Sequence, residues 1–326
     1  MFSDFPYLYF STSGVKTLFF VPPLVAFLIS AFTSTGGVSG AFLILPFQLS
    51  YLRFTTPAVT STNFVYNLVS IPSGVYRYIK EGRMAWPLTW IVVLGTLPGV
   101  FLGYYVRVLY LPDPRSFKVF VGFVLLYLGL RILYDVTGLS RAPGEELRLL
   151  EERFRQQAKK LQNGQSGAIA AGLPADAVVR AISVSPRRVV YEFWGQQFTF
   201  STPSMFGLAL VVGVIGGAYG IGGGAIIAPV CVALFRLPVY TVAGAALMGT
   251  FLTSIVGVLF YSFIPLKAGV SYAPDWLLGA LFGLGGIPGM YCGARLQKYI
   301  PQKYLKMILG AAITLLALTY VVRGRT

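Results

Sequence analysis

The sequence predicts an all-α integral membrane protein of about ten transmembrane segments in two inverted five-segment repeats, with a small α+β extramembrane insertion. Three observations lead there: too few charged residues for a water-exposed globule, ten apolar stretches near spanning length, and glycine and proline motifs that recur at fixed offsets. Of the 326 residues, 56% are hydrophobic and 11% charged, against about 25% charged in a soluble domain. Most of the surface must therefore face lipid. This excludes a cytosolic enzyme, a secreted domain and a nucleic-acid module.

The apolar stretches run in order over 15–34, 38–52, 57–78, 84–106 and 116–137, then over 203–219, 222–235, 239–264, 275–296 and 302–322. A helix needs about 20 apolar residues to cross ~30 Å of hydrocarbon. The stretch ahead of the first span, MFSDFPYLYFSTSG, lacks a basic n-region and a clear cleavage site, so Val15 onward reads as a retained span. The middle differs. Leu147, Leu150, Phe154, Ala158 and Leu161 recur at helical spacing, with Pro143 near the start and Gly164 just past the end. VVRAISVSPRRVVYEFWGQQFTFS then reads as short strands broken at Ser185-Pro186 and Trp194-Gly195. The organisation follows: a first membrane repeat over 1–138, a soluble insertion over 139–200, and a second membrane repeat over 201–326.

The two halves are copies of one pattern. At an offset of 183, Gly37, Gly40, Pro46, Arg53 and Val59 fall on Gly220, Gly223, Pro229, Arg236 and Val242. At 190, Gly95, Pro98, Gly99 and Gly103 fall on Gly285, Pro288, Gly289 and Gly293; at 188, Lys118 and Gly122 fall on Lys306 and Gly310. Five segments per half is odd, so the second half enters from the opposite side, the inverted repeat common among transporters. If the short second segment of each half does not cross, eight spans in parallel halves result. The net charge of +15 suits basic residues flanking spans against anionic headgroups, with part of the excess available to attract an anion. Arg141, Arg148, Arg153 and Arg155 stand close behind a span. This orients the insertion to the cytoplasm and both termini outside, in a multi-pass protein of the cell (inner) membrane.

Several chemistries are missing. There is no histidine, and the two cysteines, Cys231 and Cys292, lie in apolar stretches. A disulfide framework, a zinc site and a histidine relay are thereby excluded. None of the eleven acids lies mid-span, although ion-coupled carriers usually keep an intramembrane carboxylate. No acid–base pair or activated nucleophile is available, so no catalytic residue, metal ligand or cofactor is predicted, and the chain does not read as an enzyme.

The breaks GGVSG (36–40) and GIGGG (220–224) interrupt long apolar runs at matching positions. Glycines let the backbone leave helical geometry and free N–H groups, and a helix restarting there points its positive dipole end into the protein. Close helix packing is the competing explanation; two equivalent breaks favour a site. Gly220, Gly222 and Ala225 formally match a dinucleotide fingerprint, but no strand–helix–strand unit surrounds them. The triplets Gly95/Gly99/Gly103 and Gly285/Gly289/Gly293 instead read as packing faces. In the span after the first break, Asn63, Asn67 and Ser70 form one helical stripe, matched by Ala246, Thr250 and Thr253. These uncharged groups suit either an oxyanion's hydrogen-bond shell or interhelical bonding. The predicted substrate-binding set is Gly37, Ser39, Gly40, Asn63, Asn67, Gly222, Gly223, Gly224, Thr250 and Thr253, with Tyr66 and Tyr219 secondary. Neutral donors favour a monoanion over a dianion.

Residues 220–257, GIGGGAIIAPVCVALFRLPVYTVAGAALMGTFLTSIVG, together with the later GLGGIPGMYCGARLQKYIP, resemble the sulfite exporter family TauE/SafE. The resemblance covers both membrane halves. It implies export or uptake of a small sulfur-containing anion such as sulfite or an organosulfonate. The expected function is transport of such an oxyanion through a midplane site between two glycine-broken helices. An anion channel or passive uniporter of the same fold, and a non-transporting membrane scaffold whose insertion binds a soluble partner, are the alternatives. The expected partners are the anion and the lipid bilayer.

Overall fold

The computed structural model describes residues 6–34, 39–80, 82–136, 178–264, 272–296 and 302–323. The amphipathic stretch around Leu147–Leu161 and Gly37 of the first break lie outside these residues.

The chain opens with a β-hairpin and not with a span. β1 (Tyr7–Phe10) pairs antiparallel with β2 (Val15–Leu18), so the first predicted span loses its leading residues. The reason is local. Gly14 adopts φ +68°, its N–H returns to the Phe10 carbonyl, and Val15 and Thr17 point inward while Lys16 stays exposed. Helix α1 (Val21–Ser34) starts only at the Pro22-Pro23 pair, which fits a first helical turn.

Helices α2 (Ala41–Ser50), α3 (Ala58–Lys80), α4 (Trp86–Tyr105) and α5 (Pro114–Val136) complete the first half. A π-helical turn, Val106–Tyr110, extends α4. The second half holds α6 (Thr202–Tyr219), α7 (Gly224–Phe235), α8 (Val239–Phe263), α9 (Trp276–Leu296) and α10 (Gln302–Arg323). The protein is thus mostly helical, and among the described residues four helices are long and apolar enough to cross a membrane: Trp86–Tyr110, Pro114–Tyr134, Thr202–Tyr219 and Thr241–Phe263. α2 and α7, at 10 and 12 residues, extend only about 15–18 Å.

The helix pairings repeat across the halves. α4 packs on α6 and α9 on α1; α3 and α8 pack on each other and on α9 and α4 respectively; α5 packs on α10. The glycine triplets make this possible. A Cβ on Gly95 would lie 2.7 Å from Ala209 Cβ. One on Gly99 would strike the Leu210 carbonyl oxygen, and one on Gly103 that of Val214, all on α6. In the second half Gly285 lies against the Pro23 carbonyl and Gly289 against Phe27, on α1. Four-residue spacing keeps these glycines on one face, where backbone meets backbone.

Residues 178–201 supply a three-stranded antiparallel sheet, β3 (Val179–Val184), β4 (Arg188–Phe193) and β5 (Gln196–Ser201), in the order β3-β4-β5. Its turns fall at the predicted breaks. Trp194 (φ 51°) and Gly195 (φ 76°) form the left-handed pair of a tight hairpin. The sheet is tied to the bundle by Val179 N–H donating to the Gly82 carbonyl (3.0 Å) and by Tyr191 Oη against Thr241 Oγ1 (2.8 Å). At the other end of α3, Thr62 Oγ1 accepts from Asp275 N–H (2.9 Å), while the Asp275 carboxylate accepts from Ser13 Oγ (2.8 Å) and from Leu278 N–H (3.1 Å). The hairpin and the sheet therefore sit at opposite ends of the bundle.

Candidate functional site

Helix α3 is the polar axis of the bundle. Thr60, Ser61, Thr62, Asn63, Asn67 and Ser70 are all fully buried along it. Spacing of three and four residues puts Thr60, Asn63, Asn67 and Ser70 on one stripe. Glycines on its neighbours let them close around it: a Cβ on Gly279 would lie 2.7 Å from Val65 Cβ, one on Gly286 2.8 Å from Ser70 Cβ, and one on Gly257 2.7 Å from the Phe64 ring.

Both breaks abut this stripe. The Asn63 amide donates to the Ala41 carbonyl at the start of α2 (3.0 Å) and to the Gly220 carbonyl in the second break (2.9 Å). One side chain thus ties the two halves together at their irregular segments. Tyr219 Oη adds a second tie, donating to the Phe42 carbonyl (2.8 Å). Tyr66 Oη shares a hydrogen bond with Ser30 Oγ (2.9 Å) and stands near Gly40, where a Cβ would lie 2.9 Å from it.

In the first break, Ser39 Oγ donates to Asn67 Oδ1 (2.8 Å) and accepts from Ala41 N–H (3.3 Å). The helix start is thereby pinned to the stripe. Polar atoms nevertheless remain without a partner among the described residues: Asn63 Oδ1, Asn67 Nδ2 and Ser70 Oγ. Leaving buried groups idle costs about 1–3 kcal/mol each, so these atoms are suited to meet something else.

The second break is built differently. Gly220, Gly222 and Gly223 take φ of +91°, +68° and +81°, a region only glycine enters readily. Gly224 N–H donates to Thr250 Oγ1 (3.0 Å), which itself donates to the Ala246 carbonyl (2.9 Å). Thr253 Oγ1 donates to the carbonyls of Gly249 (2.7 Å) and Gly222 (3.0 Å). Both threonine hydroxyls are spent on backbone. So Ser39, Gly40, Asn63 and Asn67 come together on α3, while Gly222, Gly224, Thr250 and Thr253 meet on α8 and Gly223 faces Val212 and Thr96; the two groups join through Gly220, whose carbonyl Asn63 holds.

Arg107 escapes sequence reasoning. It stands one residue past the predicted 84–106 span, where a basic residue ordinarily meets headgroups. In the structure it is fully buried in the π-helical turn. Its guanidinium lies 3.7 Å from the Phe117 ring centroid, Nε donates to Thr60 Oγ1 (3.1 Å), and Nη1 donates to the Leu111 carbonyl. The one available signal was register: at the offset of 190, the matching residue is Gln297.

The comparisons with known proteins agree on a class. Residues 23–320 match the family described as sulfite exporter TauE/SafE. The chain is 23% identical over 276 residues to a probable membrane transporter protein, YunE, of Bacillus subtilis (strain 168), covering 82% of each chain. No solved structure matches.

Proposed function

The chain belongs to the sulfite exporter TauE/SafE family of membrane transporters, and on that premise we propose that it carries a small sulfur-containing oxyanion, sulfite or an organosulfonate. The path runs between the two broken helices. The observation that supports this best is the meeting of both breaks on α3, where Asn63 bridges the Ala41 and Gly220 carbonyls and Asn67 Nδ2 and Ser70 Oγ keep polar atoms free. Asn67 lies nine residues into a 23-residue helix, near its middle. An oxyanion in a low-dielectric interior needs several convergent donors. Asn67 Nδ2 and Ser70 Oγ offer such donors, Ser39, Gly40, Gly37 and the glycines 222–224 form the two breaks beside them, and Thr250 and Thr253 hold the glycine backbone in shape. With no cation in this shell, a monoanion such as bisulfite or a monosulfonate fits better than sulfate.

We assign ten segments to the fold, in two inverted repeats, with 139–200 in the cytoplasm and both termini outside. The opposite placement of hairpin and sheet on α3, and the helix pairings that repeat across the halves, support this. A membrane-impermeant thiol reagent applied to intact cells should leave a cysteine at position 160 unlabelled; ready labelling reverses the orientation.

A passive channel of the same architecture has one observation in its favour. Asp275 is the one buried carboxylate among the described residues, and it is occupied with Ser13 and the start of α9. Counterflow in proteoliposomes decides between the two. Trans-stimulation by sulfite, thiosulfate, sulfoacetate or taurine marks a carrier, and flux without it marks a channel. A purified protein that neither moves nor binds any of these anions is a scaffold.

A further inference from the structure

Resting on the reading of the chain as an anion carrier, we propose that Arg107 and Tyr272 form a second station for the same small oxyanion, at the end of the bundle that carries the hairpin. Arg107 is fully buried, yet its Nη2 finds no hydrogen-bond partner among the described residues. Its other two nitrogens are engaged, Nε with Thr60 Oγ1 and Nη1 with the Leu111 carbonyl, and the Phe117 ring covers one face. Tyr272 lies alongside: its carbonyl accepts from Ser61 Oγ (2.6 Å), and Ser61 follows Thr60, the partner of Arg107 Nε. Tyr261 Oη is spent on the Gly217 carbonyl (3.1 Å). Tyr272 Oη, by contrast, is buried and idle. A buried guanidinium with no counter-charge among the described residues, beside an unused hydroxyl donor, is a half-built ion pair whose natural complement is an anion.

Its location makes the station useful. Thr60, which accepts from Arg107, starts the stripe that continues through Asn63 to Asn67. At about 1.5 Å per residue, the station lies only ~5–10 Å along α3 from these asparagines. Thr60 also touches the second break: a Cβ on Gly220 would lie 2.5 Å from its carbonyl oxygen, and its hydroxyl donates to the Ala218 carbonyl at the end of α6 (3.4 Å). An anion leaving the midplane toward this end meets the guanidinium within two helical turns. The duplication supplies no equivalent at the other end: Arg107 matches Gln297, Thr60 matches Ala243 and Phe117 matches Leu305. The hairpin end therefore carries a buried positive charge that the repeat does not place at the matching position.

The test uses the full-length protein in proteoliposomes and in detergent, with sulfite and methanesulfonate as probes. Arg107→Gln is expected to raise the half-saturating concentration for uptake from the hairpin side at least tenfold, with a smaller change in the maximal rate. Arg107→Lys should recover part of that loss. Tyr272→Phe removes only a hydroxyl without a protein partner. It should leave thermal stability unchanged and weaken half-saturation two- to fivefold, and it decides the matter if Arg107→Gln does not fold. If Arg107 merely clamps the π-helical turn, Arg107→Lys and Tyr272→Phe will show wild-type half-saturation, which overturns the station while leaving the carrier intact. A wild-type protein indifferent to both probes overturns the carrier itself, and the station with it.

Discussion

The two breaks occupy matching places in the duplicated chain but solve the same backbone problem with different chemistry. In the first, a serine hydroxyl caps the restarting helix and hangs from an asparagine, whose amide nitrogen stays unpartnered. In the second, no side chain stands at the matching Gly222, and Thr250 reaches the Gly224 N–H directly. That reach needs bare glycine: a Cβ on Gly224 would fall onto Thr250 Oγ1 and lie 2.6 Å from the Ala246 carbonyl. The first half has Ala41 at this position and tolerates it, because Ser39 sits between the helix and Asn67. The second break spends its threonine hydroxyls on its own backbone; the first keeps polar atoms in reserve. The repeated pattern thus serves as a scaffold in one half and leaves unpartnered polar atoms in the other.

The largest effect should come where the halves are still alike. Gly99→Leu and Gly289→Leu each drive a side chain into the backbone of a neighbouring helix, at a cost of about 3 kcal/mol, the upper part of the overpacking range. Melting in detergent should drop comparably for both. A variant as stable as the parent breaks the pairing of α4 with α6 or of α9 with α1 as a matched frame.

Next comes the swap at the restarting helices. Gly224→Ala should cost about 2 kcal/mol by overpacking against Thr250 and Ala246. The matching Ala41→Gly should cost no more than about 1 kcal/mol, the backbone penalty of glycine in a helix. Equal losses in chemical denaturation would falsify the claim that the second break alone is tightly wedged.

The comparison sharpens at the two side chains that face each break. Asn67→Leu should weaken sulfite or sulfonate binding by about 0.5–3 kcal/mol, the range for a lost hydrogen bond, in protein that still folds. Thr250→Val should instead lower stability by about 1 kcal/mol, through the Gly224 N–H left without an acceptor. Affinity and melting measured on both variants separate donor from scaffold. If both lose affinity alike, the distinction collapses.

The smallest effect should appear at the start of α5. There Asp113 accepts from Ser116 N–H (2.9 Å), and this backbone bond holds its carboxyl below the ordinary carboxylate range. The second half has Pro301 at the matching position. Because the folded value lies below the unfolded one, the contribution is present at neutral pH and is lost as pH falls through the folded value. Stability curves of the parent and Asp113→Asn should differ slightly above that range and converge below it. Curves parallel throughout would remove the carboxylate from the account.

Much of this was legible beforehand. Apolar run length and glycine punctuation carry helix boundaries, so nine of the ten predicted stretches begin and end within a few residues of a helix. The exception is instructive. Val15–Leu18 runs straight into the apolar stretch that follows, and Gly14's left-handed turn and the pairing with Tyr7–Phe10 make it a strand. The strand turns at Ser185 and Trp194-Gly195 were legible because turn residues act locally.

The sequence by itself therefore determined the membrane setting, the order of helices and sheet, and which polar residues share the α3 stripe. These follow from composition and periodicity, both local or additive along the chain. Tertiary structure decided which polar atoms are spent and which are idle. Asn63 becomes a bridge only because Ala41 and Gly220, 179 residues apart, converge on its amide. Thr250 becomes a cap only because Gly224 comes within 3.0 Å of it. Arg107, an unremarkable flanking cation in sequence, becomes a buried charge because a π-helical turn carries it onto Phe117 and Thr60. Hydrogen bonds act over about 3 Å, and no one-dimensional pattern specifies which distant groups will meet at that distance.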